Sequence, residues 1–220
     1  MQNGIQIKVC GLTRKSDVAT ALDLGADAFG FIAYPGSPRA VSLERALALA
    51  APVAVEQRIV VDVEPTLETI RAFQSAGFQR FQIHASLEAF ETRLSEWSDC
   101  VGRENLWIAP RLPAGMPLPE TVIEFAATVV LDTYSLDRAG GTGQVGDWKG
   151  FRELQAAHPE LRFILAGGLS PDNIVQALAE KQRVLMVLDD PWMPEQVRFL
   201  NPIDSSQSEH RLLVTTRIRD

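Results

Sequence analysis

Short apolar runs, often β-branched, recur along the chain, and longer stretches between them place apolar residues every three or four positions. The runs lie at residues 5–9, 28–32, 58–61, 78–83, 106–109, 128–131, 162–166 and 184–188. Each has the length and residue types of a buried strand. The stretches between them carry helix start and stop signals. Ser16 reads as the N-cap of a helix through Leu24, with Gly25 as its left-handed stop. Ser42 opens a helix through Ala50, with Pro52 beyond it, and Thr66 opens one through Ala76, followed by Gly77. Ser86 starts a fourth that carries Leu87, Phe90, Leu94 and Trp97. Ser170 and Pro171 pair an N-cap with a proline at the first helical position, ahead of Ile174, Ala177 and Leu178. The segments 118–126 and 148–157 carry weaker helical patterns.

Strands that alternate with helices through short loops demand a parallel sheet. Eight such units point to an α/β fold, a (β/α)8 barrel, with an open doubly wound sheet as the alternative that periodicity alone leaves. The expected organisation is a single barrel domain over residues 1–202 and an atypical tail over 203–220. The tail is rich in Ser, Gln and Arg and has no core pattern beyond Leu212-Leu213-Val214.

Composition narrows the function. Hydrophobic residues make up 46% of the 220, enough for a sizeable core, and the formal net charge is −7. An acidic chain is a poor partner for nucleic acid or an anionic membrane through bulk charge. It can still bind an anionic metabolite through backbone N–H groups. Cys10 and Cys100 are too few and too far apart for a disulfide framework, and no C-x-x-C pair suggests a metal. With no signal peptide at the N-terminus and no apolar run long enough to span a bilayer, the expectation is a cytoplasmic protein.

The active site of a βα barrel lies at the C-terminal ends of its strands, and the chemically interesting residues fall there. Lys8 and Cys10 end the first strand, and Arg39 follows the second. Gln82 and His84 end the fourth, and Asp132 ends the sixth. Gly140-Gly141-Thr142-Gly143 comes next, and Gly167-Gly168 leads from the seventh strand into a helix. Each alone has an ordinary reading. A cysteine near a strand end is more often a small core residue, an aspartate after a strand a turn residue, and a lone histidine a hydrogen-bonded structural one. The double glycine tells more, because free N–H groups at a helix start attract anions. The weight lies in their conjunction.

Seven strings carry a specific likeness: Lys8-Val9-Cys10-Gly11-Leu12-Thr13, residues 25–32, Ser37-Pro38-Arg39, Phe81-Gln82-Ile83-His84, Leu131-Asp132-Thr133, residues 140–143, and Leu165-Ala166-Gly167-Gly168-Leu169. In this order and spacing the chain resembles the phosphoribosylanthranilate isomerase family from residue 5 to about residue 180. The resemblance implies an Amadori rearrangement in tryptophan biosynthesis. N-(5-phosphoribosyl)anthranilate becomes 1-(o-carboxyphenylamino)-1-deoxyribulose 5-phosphate by acid–base chemistry, with no metal or organic cofactor. It further implies Asp132 as the acid that opens the furanose ring and Cys10 as the base that removes the C2′ proton. Arg39 would hold the anthranilate carboxylate, and Gly167 and Gly168 the phosphate. Gly141 and Gly143 would belong to a loop that closes over substrate. Lys8, Gln82 and His84 are expected as further substrate-binding residues. The expected assembly is a monomer or homodimer, with a phosphorylated small molecule as the only partner.

The likeness breaks near residue 181. The family's eighth strand ends in a Ser-Ser-Gly element that completes the phosphate site. Here the chain reads Val187-Leu188-Asp189-Asp190-Pro191. Two carboxylates oppose a phosphate dianion, and proline removes an N–H donor. Ala85 also stands where the family has glycine. A shifted reading frame would account for the break: with each third base joined to the next two, codons for residues 183–187 can encode Gly-Val-Asp-Gly. The alternative function is therefore an impaired or non-catalytic phosphate-sugar-binding barrel. A lysine-based site of the indole-glycerol-phosphate synthase kind is disfavoured, since no lysine but Lys8 ends a strand, and Lys8 sits too early.

Overall fold

All eight expected apolar runs become strands. The computed structural model describes residues 7–113, 116–131, 148–165, 185–189 and 211–215. Its strands are β1 (Ile7–Cys10), β2 (Ala28–Ile32), β3 (Arg58–Val63), β4 (Arg80–Ala85), β5 (Leu106–Pro110), β6 (Thr128–Leu131), β7 (Arg162–Leu165) and β8 (Leu185–Asp189), followed by β9 (Arg211–Thr215). Neighbours in sequence pair in parallel from β1 to β9, and β9 pairs in parallel with β1 to close the barrel.

The ninth strand was not expected. It falls inside the segment 203–220 that reads as a tail, and it inserts between β8 and β1, which an eight-stranded barrel pairs directly. Leu212-Leu213-Val214 is the one apolar run in that segment, and it provides the strand. Asp189 and Cys10 both pair with Thr215, from opposite sides.

The described helices are α1 (Lys15–Asp23), α2 (Leu43–Ala50), α3 (Leu67–Ser75), α4 (Leu87–Val101), α5 (Glu120–Phe125) and α6 (Trp148–Ala157). Of the four expected N-caps that fall among the described residues, three form as read. Ser42, Thr66 and Ser86 accept from the backbone N–H of Arg45, Thr69 and Ala89, respectively. Such caps are each worth about 1 kcal/mol. Ser16 is the exception. Its helix already begins at Lys15, and its hydroxyl donates to the Asp17 carboxylate at 3.2 Å. Gly25 does stop α1, at φ +75. The helix expected after Ser170 and Pro171 lies outside the described residues.

Successive strand residues face opposite ways, which separates two cores. Phe29, Phe31, Val60, Phe81, Ile83, Ile108 and Val129 face outward and pack with helix residues such as Val18, Leu49, Ile70, Phe90 and Trp97. Burial of each such large side chain contributes roughly 1.5–3 kcal/mol. Cys10, Ala28, Ile32, Ile59 and Val61 form a second cluster, and Ala109, Val130 and Ile164 a third. Both are joined by Trp107. These fill the barrel interior and form the base under the site.

Candidate active site

Cys10 is the last residue of β1 and is 6% exposed. It pairs with Gly30 on β2, and that glycine leaves the space its side chain needs. A methyl group on Gly30 would lie 2.7 Å from the Cys10 sulfur and 3.1 Å from its Cα. The sulfur therefore lies against the neighbouring strand. Cys10 and Cys100 are both free thiols.

Arg39 reaches this point from the loop after β2. Ala40 and Val41 fold back on that strand: the Ala40 N–H donates to the Ser37 carbonyl and the Val41 N–H to the Ile32 carbonyl. The Arg39 N–H donates to the Ser37 hydroxyl at 3.2 Å. The guanidinium crosses over Gly11, and its Nη1 donates to the Cys10 carbonyl at 3.5 Å. Gly11 has φ +78, and a methyl group there would lie 2.5 Å from Nη1. Its glycine thus serves both the left-handed backbone and the arginine's path. The structure therefore brings the expected base and the expected carboxylate-binding arginine together.

Lys8 and Gln82, expected as substrate-binding residues, lie within the barrel and meet each other. Lys8 is 1% exposed and Gln82 6%. The Lys8 ammonium donates to Gln82 Oε1 at 2.5 Å and lies 5.3 Å from the centre of the Trp107 ring. Burial lowers its pKa from the ordinary lysine value, while attraction to Cys10 pulls the other way. The two side chains satisfy each other within the barrel, below the strand ends. His84 is one inward-facing position further along β4 and is half-buried. Its Nε2 is 2.8 Å from Gln82 Nε2. Burial, then the positive charges of Lys8 and Arg111, lower its pKa to about 4. The imidazole is neutral at physiological pH.

Two contributors were missed. Trp107 lines the interior beside Lys8, and Arg111 follows β5 at the barrel mouth, close enough for His84 to feel its charge. The signal was present: residues 107, 109 and 111 share one parity on a strand whose outward set, Leu106 and Ile108, is apolar. Gly30 was legible only as part of a string, because its role depends on the residue across the ladder.

Asp132, Gly141, Gly143, Gly167 and Gly168 lie outside the described residues. Asp132 follows Leu131, the last residue of β6, in sequence. Among the described residues no group of His, Cys, Asp and Glu could hold a metal ion, and no helix is long and apolar enough to cross a membrane.

Residues 7–189 match the family described as N-(5′-phosphoribosyl)anthranilate (PRA) isomerase. The N-(5′-phosphoribosyl)anthranilate isomerase of Pseudomonas putida (strain GB-1) is 35% identical over 185 residues, covering 80% of this chain and 82% of that relative. Among solved structures, the phosphoribosyl anthranilate isomerase of Thermus thermophilus superposes with a TM-score of 0.64 at 26% identity, over 96% of this chain and 87% of the other. A phosphoribosyl anthranilate isomerase in complex with reduced 1-(o-carboxyphenylamino)-1-deoxyribulose 5-phosphate superposes with a TM-score of 0.58 at 21% identity, again over 96% and 87%. At that identity the likeness speaks for the fold.

Proposed function

The chain belongs to the N-(5′-phosphoribosyl)anthranilate isomerase family, and from that premise we propose that it carries out the family's Amadori rearrangement with Cys10 as base and Asp132 as acid. The observation that carries the assignment of residues is the meeting of Cys10 and Arg39 at the C-terminal end of β1. The reaction needs one group that gives a proton to the ring oxygen and another that takes one from C2′. A thiolate serves as the base, and Cys10 shares the inward side of β1 with Lys8, which it attracts. The planar fork of Arg39 suits the anthranilate carboxylate. Holding that carboxylate beside β1 brings the bond to be deprotonated toward Cys10. His84 offers a neutral donor, and Arg111 a further positive charge for a substrate that carries both a phosphate and a carboxylate.

Asp132 protonates the furanose oxygen, and ring opening gives the Schiff base. Removal of the C2′ proton by Cys10 then gives the enolamine, which tautomerises to the ketone. Gly167 and Gly168 would offer backbone N–H groups to the phosphate, and Gly141 and Gly143 would be further substrate-binding residues. The substrate is a phosphorylated small molecule, and the chain acts in the cytoplasm as a monomer or homodimer.

Asp189 and Asp190 favour a second reading, an impaired barrel whose phosphate clamp is incomplete. Turnover with substrate generated in place separates the two. A raised KM with near-normal kcat supports an intact acid–base pair with a weakened clamp, and a folded but inert chain supports the second reading.

A further inference from the structure

Three polar side chains are linked in series inside the barrel, and none of them performs the proposed acid–base steps. Lys8 donates to Gln82 Oε1 at 2.5 Å, and Gln82 Nε2 lies 2.8 Å from His84 Nε2. The chemistry of the first group fixes the rest. Lys8 Nζ donates to Gln82 Oε1, so the amide oxygen is engaged and only the amide nitrogen is left for the next partner. The amide nitrogen then faces His84, and an amide nitrogen only donates. His84 Nε2 must therefore present a lone pair, which leaves the ring proton on Nδ1. No group among the described residues accepts from that N–H.

We propose that Lys8 is a positioning residue that acts through Gln82 to hold His84 in its Nδ1–H tautomer, so that the site presents one fixed, neutral donor to an oxygen of the substrate. The assignment deepens the isomerase reading and rests on it for the identity of that oxygen's owner. Burial supports the arrangement. Lys8 and Gln82 are 1% and 6% exposed, so water does not compete for the amide's orientation. Trp107 lies 5.3 Å from the ammonium and limits its alternatives. A neutral imidazole agrees with the pKa of about 4 to which burial and the nearby cations bring His84. Free imidazole interconverts its tautomers, and here the direction is set two residues away along a hydrogen-bonded chain.

The test is long-range proton–nitrogen correlation NMR on protein labelled at its 3 histidines, with His84 assigned by its loss in His84→Gln. The parent is expected to show Nδ1 protonated and Nε2 bare. Gln82→Glu keeps the shape and still accepts from Lys8, but a carboxylate cannot donate to the ring, so Nε2 is expected to gain a proton. Lys8→Met frees the amide to turn and is expected to give a mixture of tautomers. KM should then rise by on the order of tenfold, and kcat should change less. Should Lys8→Met fail to fold, Gln82→Glu carries the test alone. A parent with Nε2 protonated, or a Gln82→Glu ring that keeps Nε2 bare, overturns the proposal. A parent that shows the expected tautomer but no turnover removes the isomerase reading and leaves the positioning role of Lys8 standing.

Discussion

Gly30 and Cys10 face each other across the β1–β2 ladder, and a methyl group on Gly30 would lie 2.7 Å from the cysteine sulfur. Side-chain rotation alone gives little relief, because the same methyl would lie 3.1 Å from the Cys10 Cα. Gly30→Ala is therefore expected to displace the thiol and separate the two strands slightly. Overpacking of this kind costs about 1–3 kcal/mol, and a misplaced base costs rate. The expected outcome is a folded protein with a lowered melting temperature and kcat reduced by on the order of a hundredfold. Thermal unfolding beside steady-state kinetics checks it, and an unchanged kcat would mean that Cys10 does not act from this position.

Arg39 gives a different signature. Lysine keeps the charge but loses the planar pair of donors. Arg39→Lys is expected to raise KM by roughly tenfold or more and to change kcat less, since the proposed carboxylate contact would be made in both bound substrate and transition state. Gly11→Ala is expected to reproduce the effect, because the added methyl would lie 2.5 Å from Nη1 and φ is +78. Equal losses in kcat and kcat/KM for Arg39→Lys would place the arginine in the chemical step instead.

The barrel was legible because its strands are buried on both faces and read as short apolar runs, and because Ser42, Thr66 and Ser86 mark helix starts locally. Cys10 and Arg39 were legible as parts of strings, and their meeting was not, because it depends on the loop at 33–41 folding back over Gly11. Lys8 is expected as a substrate-binding residue, and it shares a strand face with Cys10. Position along the strand sets its surroundings: two residues further in than Cys10, it finds Gln82 and Trp107 before it finds solvent. The ninth strand was illegible for a further reason. Three apolar residues in a polar tail pass for noise until the edge strands β1 and β8 offer them ladders on both sides.

His84 predicts an acid dependence of stability. Its pKa falls from 6.5 to about 4 in the folded chain. The unfolded chain therefore takes up the proton first, and the stability this residue contributes is present above 6.5 and is lost as pH falls toward 4. Denaturant unfolding of the parent and of His84→Gln through this range is expected to show a steeper acid loss in the parent. Parallel slopes would contradict a neutral imidazole.

Asp62 runs the opposite way. It faces outward from β3, is 7% exposed, and accepts one hydrogen bond from the Val63 N–H at 2.8 Å. Burial raises its pKa above 3.8, and the Val63 bond opposes this only partly. The folded state thus holds the proton more tightly than the unfolded state. The stability is present below 3.8 and is lost as pH rises through the raised folded value. Asp62→Asn keeps an acceptor for Val63 and removes the buried charge. It is expected to raise the melting temperature at neutral pH, with the gain vanishing in acid. A loss of stability at neutral pH would show that the carboxylate has a partner worth more than its desolvation costs.

Whether Cys10 is the base and Asp132 the acid of an isomerase is decided by steady-state turnover of N-(5-phosphoribosyl)anthranilate generated in place, with the parent beside Cys10→Ala and Asp132→Asn. The parent is expected to turn over, and each variant to lose most of kcat while remaining folded. A folded parent that is inert, or variants that retain kcat, would contradict these roles.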